Sequence, residues 1–248
     1  MFVDEVGKLG VGKLASRRRF ESAADDGHSL TRPTCRLADS LHTPHMRVIA
    51  GERRGFQLKG PAGKFTRPMA DRVREALFSM LASLGVEPVR VLDLYAGTGG
   101  IGIEVLSRGA ESADFVERNA AAAAVVRANL AHTRYTDVAR VYQEPVSTFL
   151  SRAERNEVEI APYDLIFMDP PYADPELVAT LERVGRSPLV ESGAMLVIGH
   201  SPRVTLPQHA GRLRRLKERC YGDSCFSIYI HVDEVEAGST TELGVGVT

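Results

Sequence analysis

Asp164-Leu165-Ile166-Phe167-Met168-Asp169-Pro170-Pro171-Tyr172 is the stretch on which the fold turns. Leu165 to Met168 form an apolar run too short for an ordinary helix and suited to a strand buried on both faces. Two prolines end it, because neither can donate to a sheet ladder and both fix the backbone. A rigid turn therefore follows the strand's carboxyl end, with the Asp169 carboxylate before it and the Tyr172 ring after it. That edge is where ligands bind in open α/β sheets. Taken alone, the stretch also reads as a plain strand and turn, with Asp169 as turn-former and Tyr172 as partial core.

The chain upstream sharpens the choice. Val89 to Tyr95 is a second buried strand that runs into Ala96-Gly97-Thr98-Gly99-Gly100-Ile101-Gly102 and then a helix ending near Gly109. Strand, glycine loop and helix form the setting in which a backbone approaches a nucleotide without Cβ clashes. Gly97 and Gly99 fit that pattern, but the full dinucleotide spacing is absent. Ala113 to Glu117 is the next strand, and an acid at its end, about 20 residues past the loop, is placed to accept hydrogen bonds from ribose hydroxyls. Arg118-Asn119 opens an alanine-rich helix to about Ala131. A strand over 139–142, a short helix to Leu150, the 164–168 strand, a helix over 175–184 and a strand over 194–198 continue the alternation, and 226–230 reads as an antiparallel closing strand. Such alternation predicts a parallel sheet with helices on both faces.

Residues 1–45 show no sustained period and read as an extension, or as sequence upstream of a true start at Met46; residues 232–248 read as a loose tail. Residues 46–60 read as a hairpin whose glycine-bracketed turn carries Arg53 and Arg54. A helix follows from about Ala70 to Leu84, with Val73, Leu77, Met80, Leu81 and Leu84 as its apolar face. With 248 residues, 44% of them hydrophobic, the chain can bury one domain-sized core. Net charge is −1, but cations crowd two segments: Arg47, Arg53, Arg54, Lys59, Lys64, Arg67, Arg72 and Arg74, then Arg203, Arg212, Arg214, Arg215, Lys217 and Arg219. Each run alone fits a solvated face, whereas two runs flanking one site point to a polyanion. Cys35, Cys220 and Cys225 have no metal-type spacing and read as ordinary thiols. No apolar run approaches the ~20 residues of a membrane span, and no secretory segment is visible, so a cytoplasmic protein with no membrane contact is expected.

In their order, Asp93 with the Gly97–Gly99 loop, Glu117, and Asp169-Pro170-Pro171-Tyr172 resemble class I methyltransferases that use S-adenosylmethionine. More closely, Met46-Arg47-Val48-Ile49-Ala50-Gly51, Thr66-Arg67-Pro68 with Asp71-Arg72-Val73-Arg74-Glu75, Leu106-Ser107-Arg108-Gly109-Ala110 and Tyr221-Gly222-Asp223 resemble the bacterial RsmD family. The resemblance covers about residues 46–231 and implies a Rossmann-like domain. Its expected architecture is a seven-stranded, mostly parallel sheet with helices on both faces, an N-terminal β-hairpin over 46–60 and a catalytic core over about 66–231. It implies methylation of the exocyclic N2 of a guanine in 16S rRNA, on the rRNA or the 30S particle, with S-adenosyl-L-methionine as donor. By that resemblance Asp169, Pro170, Pro171 and Tyr172 are catalytic. Asp93, Tyr95, Ala96, Gly97, Gly99, Glu117, Arg118, Glu144, Val146 and Arg67 line the cofactor, and Arg47, Arg53, Arg54, Arg72 and Arg74 meet RNA. No metal is called for, because the donor methyl is already activated by positive sulfur, and nothing calls for more than a monomer.

Two positions depart from the family. Pro145 stands where an Asp or Asn usually touches the adenine amine, leaving Glu144 or the Val146 N–H to substitute. Gly199-His200 stands where the fifth strand commonly ends in Glu-His, and the sequence assigns Gly199 no role. Rival readings are an adenine-N6 methyltransferase acting on DNA or RNA, a nucleotide-binding oxidoreductase, and a non-catalytic RNA-binding module that keeps the fold.

Overall fold

Continuous burial along the central apolar runs gives this chain a main sheet with two covered faces. The computed structural model describes residues 46–60, 71–157, 160–171 and 174–233. The readings made of residues 1–45, of the tail beyond 233, of Thr66-Arg67-Pro68 and of Tyr172 lie outside the described residues. The chain begins with β1 (Met46–Arg47) and β2 (Gln57–Leu58), a short antiparallel hairpin. Then come α1 (Asp71–Ser83), β3 (Arg90–Leu94), α2 (Gly100–Ser107), β4 (Ser112–Val116), α3 (Ala120–Thr133) and β5 (Ala139–Tyr142). α4 (Val146–Glu154), β6 (Tyr163–Met168), α5 (Leu177–Val184), β7 (Val190–His200), β8 (His209–Ala210), β9 (Leu213–Tyr221) and β10 (Ser224–His231) complete it.

The main sheet runs β5-β4-β3-β6-β7-β10-β9-β8. From β5 to β7 the neighbours are parallel, and β10, β9 and β8 join antiparallel. Among the described residues it has eight strands rather than seven, the extra one being the two-residue β8 at the edge. The basic stretch at 213–221, not recognised from sequence as a strand, is β9. Its five final residues are all exposed, which erases the alternation by which a strand is read.

On one face Leu92, Leu94, Ile166, Met168, Leu196 and Ile198 pack under α4 and α5. On the other, Val91, Phe115, Leu165, Phe167, Val197 and Phe226 pack under α1, α2 and α3. Chain order reverses between β3 and β6, the switch point at which ligands enter such sheets.

The hairpin is pinned onto α2 by the fully buried Glu104, whose carboxylate accepts from Ile49 N (2.7 Å) and Ala50 N (2.9 Å) and pairs with Arg108 (2.8 Å). Gly51 permits the approach: its φ is 82°, and a Cβ there would lie 1.7 Å from the Ser107 carbonyl oxygen. Cys220 and Cys225, facing each other across β9 and β10, form a disulfide, which corrects the reading of both as free thiols. Residues five apart look unrelated along the chain, and only the hairpin register brings them together.

Candidate active site

The Pro170-Pro171 stop leaves Asp169 just past β6, beside the end of β3 at the switch point. Asp169 keeps much of its own surface open while protein packs around it, as at the floor of a cleft. That burial raises its carboxyl to about 6. Pro170 is buried and Pro171 exposed.

Asp93 lies near the end of β3, buried, with its carboxylate accepting from Gly102 N in the first turn of α2 (3.0 Å). Burial pushes its carboxyl up to about 7, against the Gly102 hydrogen bond, and the negative charges of Asp169 and Glu117 push the same way. Three carboxylates from β3, β4 and β6 thus gather at one sheet edge. A cation brought among them would be attracted by all three.

Glu117 closes β4 and spans the glycine loop, accepting from Gly97 N (2.9 Å) and Asn119 N (2.7 Å). Asn119 in turn caps α3 by accepting from Ala121 N and Ala122 N. Gly99 has φ 77°, and a Cβ there would sit 3.1 Å from Val126. The loop therefore turns tightly into α2, with Thr98 and Gly99 buried and Gly97 part-exposed, the point at which a nucleoside-bearing ligand can approach the backbone. Ala96 is buried, bonded to the Val116 carbonyl (3.0 Å). Tyr95 adopts φ 63°, unusual for a residue with a side chain, and is half-buried, which raises its phenol above the ordinary range. Arg118 is exposed beside it.

Glu144 is not free: Arg152 on α4 donates to it at 2.6 Å. Pro145 is the N-cap residue of α4 and offers no side-chain hydrogen bond, and Val146 behind it is buried. The expected adenine contact from Glu144 would have to compete with that ion pair.

The expected RNA-facing arginines divide. Arg47, Arg54 and Arg72 are exposed, Arg47 in a 3.1 Å pair with Asp71. Arg53 is half-buried, donating to the Thr133 carbonyl (2.9 Å) and lying over the Tyr135 ring. Arg74 corrects the expectation outright. It is 1% exposed and donates to the Arg47 carbonyl (2.7 Å) and to Asp71 (2.8 Å), as an internal post between hairpin and α1. Its 3-residue spacing from Asp71 on one helix face was the available signal.

Gly199 is the site residue that sequence reading missed. It stands on β7 in register with the residue after Met168, and a Cβ there would lie 2.4 Å from the Asp169 Oδ1. The absent side chain is the space the Asp169 carboxylate occupies. Next to it His200 is buried, with Nδ1 against the Ser201 carbonyl and Nε2 against Ser227 Oγ, both at 3.0 Å. A carbonyl can only accept, so Nδ1 is the donor in that contact.

Comparison with known proteins gives the family of the chain. A family model described as Conserved hypothetical protein 95 matches residues 46–230. YlbH of Bacillus subtilis (strain 168) is 38% identical over 184 residues, 74% of this chain and 98% of that protein. Ribosomal RNA small subunit methyltransferase D of Escherichia coli (strain K12) is 30% identical over 184 residues, 74% of this chain and 89% of that one. The solved structure of yhhF from Escherichia coli superposes with a TM-score of 0.65 at 30% identity, over 76% of this chain and 98% of that chain.

Proposed function

The chain belongs to the Conserved hypothetical protein 95 family, the RsmD family, and has its Rossmann-like methyltransferase fold; on that premise we propose that it methylates ribosomal RNA from S-adenosylmethionine, at the exocyclic N2 of a guanine in the small subunit. The observation that carries the reading is Asp169-Pro170 at the switch point, beside the glycine loop and in electrostatic reach of Asp93.

The residues present suit the donor. The Gly97–Gly99 loop, reached at the part-exposed Gly97, would hold its methionine part, Glu117 its ribose, and Asp93 its amino group through the loop or a water. The three carboxylates complement its positive charge. When bound, the donor supplies an electrophilic methyl on positive sulfur.

An exocyclic amine on guanine is a poor nucleophile, because its lone pair is delocalised into the ring. The Asp169 carboxylate and the Pro170 carbonyl oxygen can accept its two N–H groups, holding the nitrogen toward tetrahedral geometry with its lone pair free. Catalysis is then positioning and electrostatics. Asp169 must be ionised to accept, and a neighbouring cation lowers its raised carboxyl back toward that state. Tyr172, next after Pro171, is the ring on which a splayed base would stack. An rRNA substrate places this work in the cytoplasm, on the rRNA or on the 30S particle.

The test is to incubate the protein and its Asp169→Ala variant with labelled S-adenosylmethionine and 30S particles lacking the modification, then digest to nucleosides. Label in N2-methylguanosine, lost in the variant, is the expected result. Label in a methyladenosine would move the enzyme to the adenine reading. Cofactor binding with no transfer to any rRNA preparation would favour the non-catalytic reading, to which Pro145 and the Glu144–Arg152 pair lend weight.

A further inference from the structure

β9 carries a one-sided cationic stripe that leads to the site. Residues paired across an antiparallel ladder point their side chains to the same face. Tyr221 pairs with Ser224, Arg219 with Phe226, Lys217 with Ile228 and Arg214 with Ile230. Phe226 and Ile228 belong to the face covered by α1, so these four β9 residues share that face. Strict alternation would put Arg214 on the opposite side from Lys217. A bulge prevents this: Ile228 pairs with Lys217 and Tyr229 with Arg215, so Leu216 has no partner and the phase shifts by one.

All four side chains are exposed, and among the described residues none of the three cations is in an ion pair. Glu218 points to the other face, where it is tied to Arg215 at 2.9 Å. Cys220 and Cys225 lie on that other face too, and their disulfide pins the register of the strand end. Asp223 in the turn is the one carboxylate at the tip.

The stripe is also aligned with the catalytic position. The residue after Met168 is level with Gly199, Gly199 pairs with Phe226, and Phe226 pairs with Arg219. Asp169 and Arg219 therefore lie in one register row, three strand spacings or about 14 Å apart. Between them the row holds a glycine and a buried ring. Tyr221, on which Phe226 stacks at 6.0 Å, stands two residues further toward the catalytic edge.

We propose that the α1-side face of β9, with Arg214, Lys217, Arg219 and Tyr221, is a docking strip for the rRNA strand flanking the target nucleotide. The cations grip successive phosphates and Tyr221 stacks on an unpaired base. The proposal rests on the rRNA reading above and extends it to cations other than the N-terminal arginines. Charged residues on an open strand edge also discourage aggregation, but that purpose requires no common face.

The test compares wild type with Lys217→Gln/Arg219→Gln, with Tyr221→Ala, and with the control Arg127→Gln/Arg155→Gln. The control removes the same charge from elsewhere. Binding of an unmodified 16S rRNA transcript is followed by anisotropy over a salt series, alongside methylation of 30S particles. The stripe variant should bind about tenfold more weakly, with a salt slope shallower by about 1 to 1.5, since each single-strand phosphate contact contributes about 0.7. Its kcat and cofactor affinity should be unchanged. Tyr221→Ala should weaken binding with the salt slope intact. Binding and slope equal to those of wild type, or an equal loss in the control, would overturn the proposal. Absence of wild-type methylation would instead overturn the rRNA reading, and the binding comparison would still decide the stripe.

Discussion

Replacing Gly199 by Ala isolates the placement of Asp169 from its presence. The added Cβ would meet Oδ1 at 2.4 Å and Cγ at 3.2 Å, so the carboxylate must retreat by about 1 Å to regain ordinary contact. Its short side chain can make that move by rotating, and Gly199 lies within β7, where an alanine backbone is at ease. Stability should therefore hold, with a thermal midpoint within a degree or two of wild type. Catalysis should not. A misplacement of about 1 Å costs on the order of a hundredfold in rate, equivalent to about 2.7 kcal/mol of barrier. The assay is single-turnover methylation at saturating donor and 30S particles, with donor affinity measured by calorimetry and expected within twofold of wild type. Full turnover in Gly199→Ala, while Asp169→Ala is inactive, would refute the placement argument. So would a rate loss that merely tracks a loss of folded protein.

Other consequences are open to measurement. Asp169 is raised to about 6 by burial and works ionised, so kcat/KM should fall tenfold per unit as pH drops below about 6; Asp169→Asn should leave a low, flat profile. Asp93 is raised from 3.8 to about 7, so the folded state holds its proton more tightly than the unfolded one. The stability this contributes is complete below pH 3.8 and lost as pH rises through 7, and Asp93→Asn should remove that slope, on the order of 4 kcal/mol at most, from denaturant titrations taken across the window. Glu104→Ala strips two backbone N–H groups and Arg108 of their acceptor inside the fold, and should cost about 3–5 kcal/mol in urea unfolding; a loss under 1 kcal/mol would contradict the pinning of the hairpin by that carboxylate. Thiol titration of the unfolded, unreduced protein should find one group per chain, Cys35, where three would show that Cys220 and Cys225 are unpaired.

Most of the secondary structure was legible because its signals are local. The Leu165–Met168 run and its Pro-Pro stop, the glycines after Leu94, the Asn119 cap and the alternation of strands with helices each span a few neighbours. Periodicity reports which face of an element is covered, and the buried Leu77 and Leu81 of α1 follow it. β9 escaped because a strand exposed along half its length has no alternation to read.

By itself, then, the sequence determined the order of most elements, the carboxyl edge as the candidate site, and Asp93, Glu117 and Asp169 as its candidate acids. Tertiary structure alone decided the rest. It buried Arg74 as a post, engaged Glu144 with Arg152, set Gly199 against Asp169, joined Cys220 to Cys225, and turned three cations of β9 to one face. The reason is physical. These relations depend on strand register and on packing between elements far apart in the chain, and a shift of one residue in register would exchange the faces of every side chain involved.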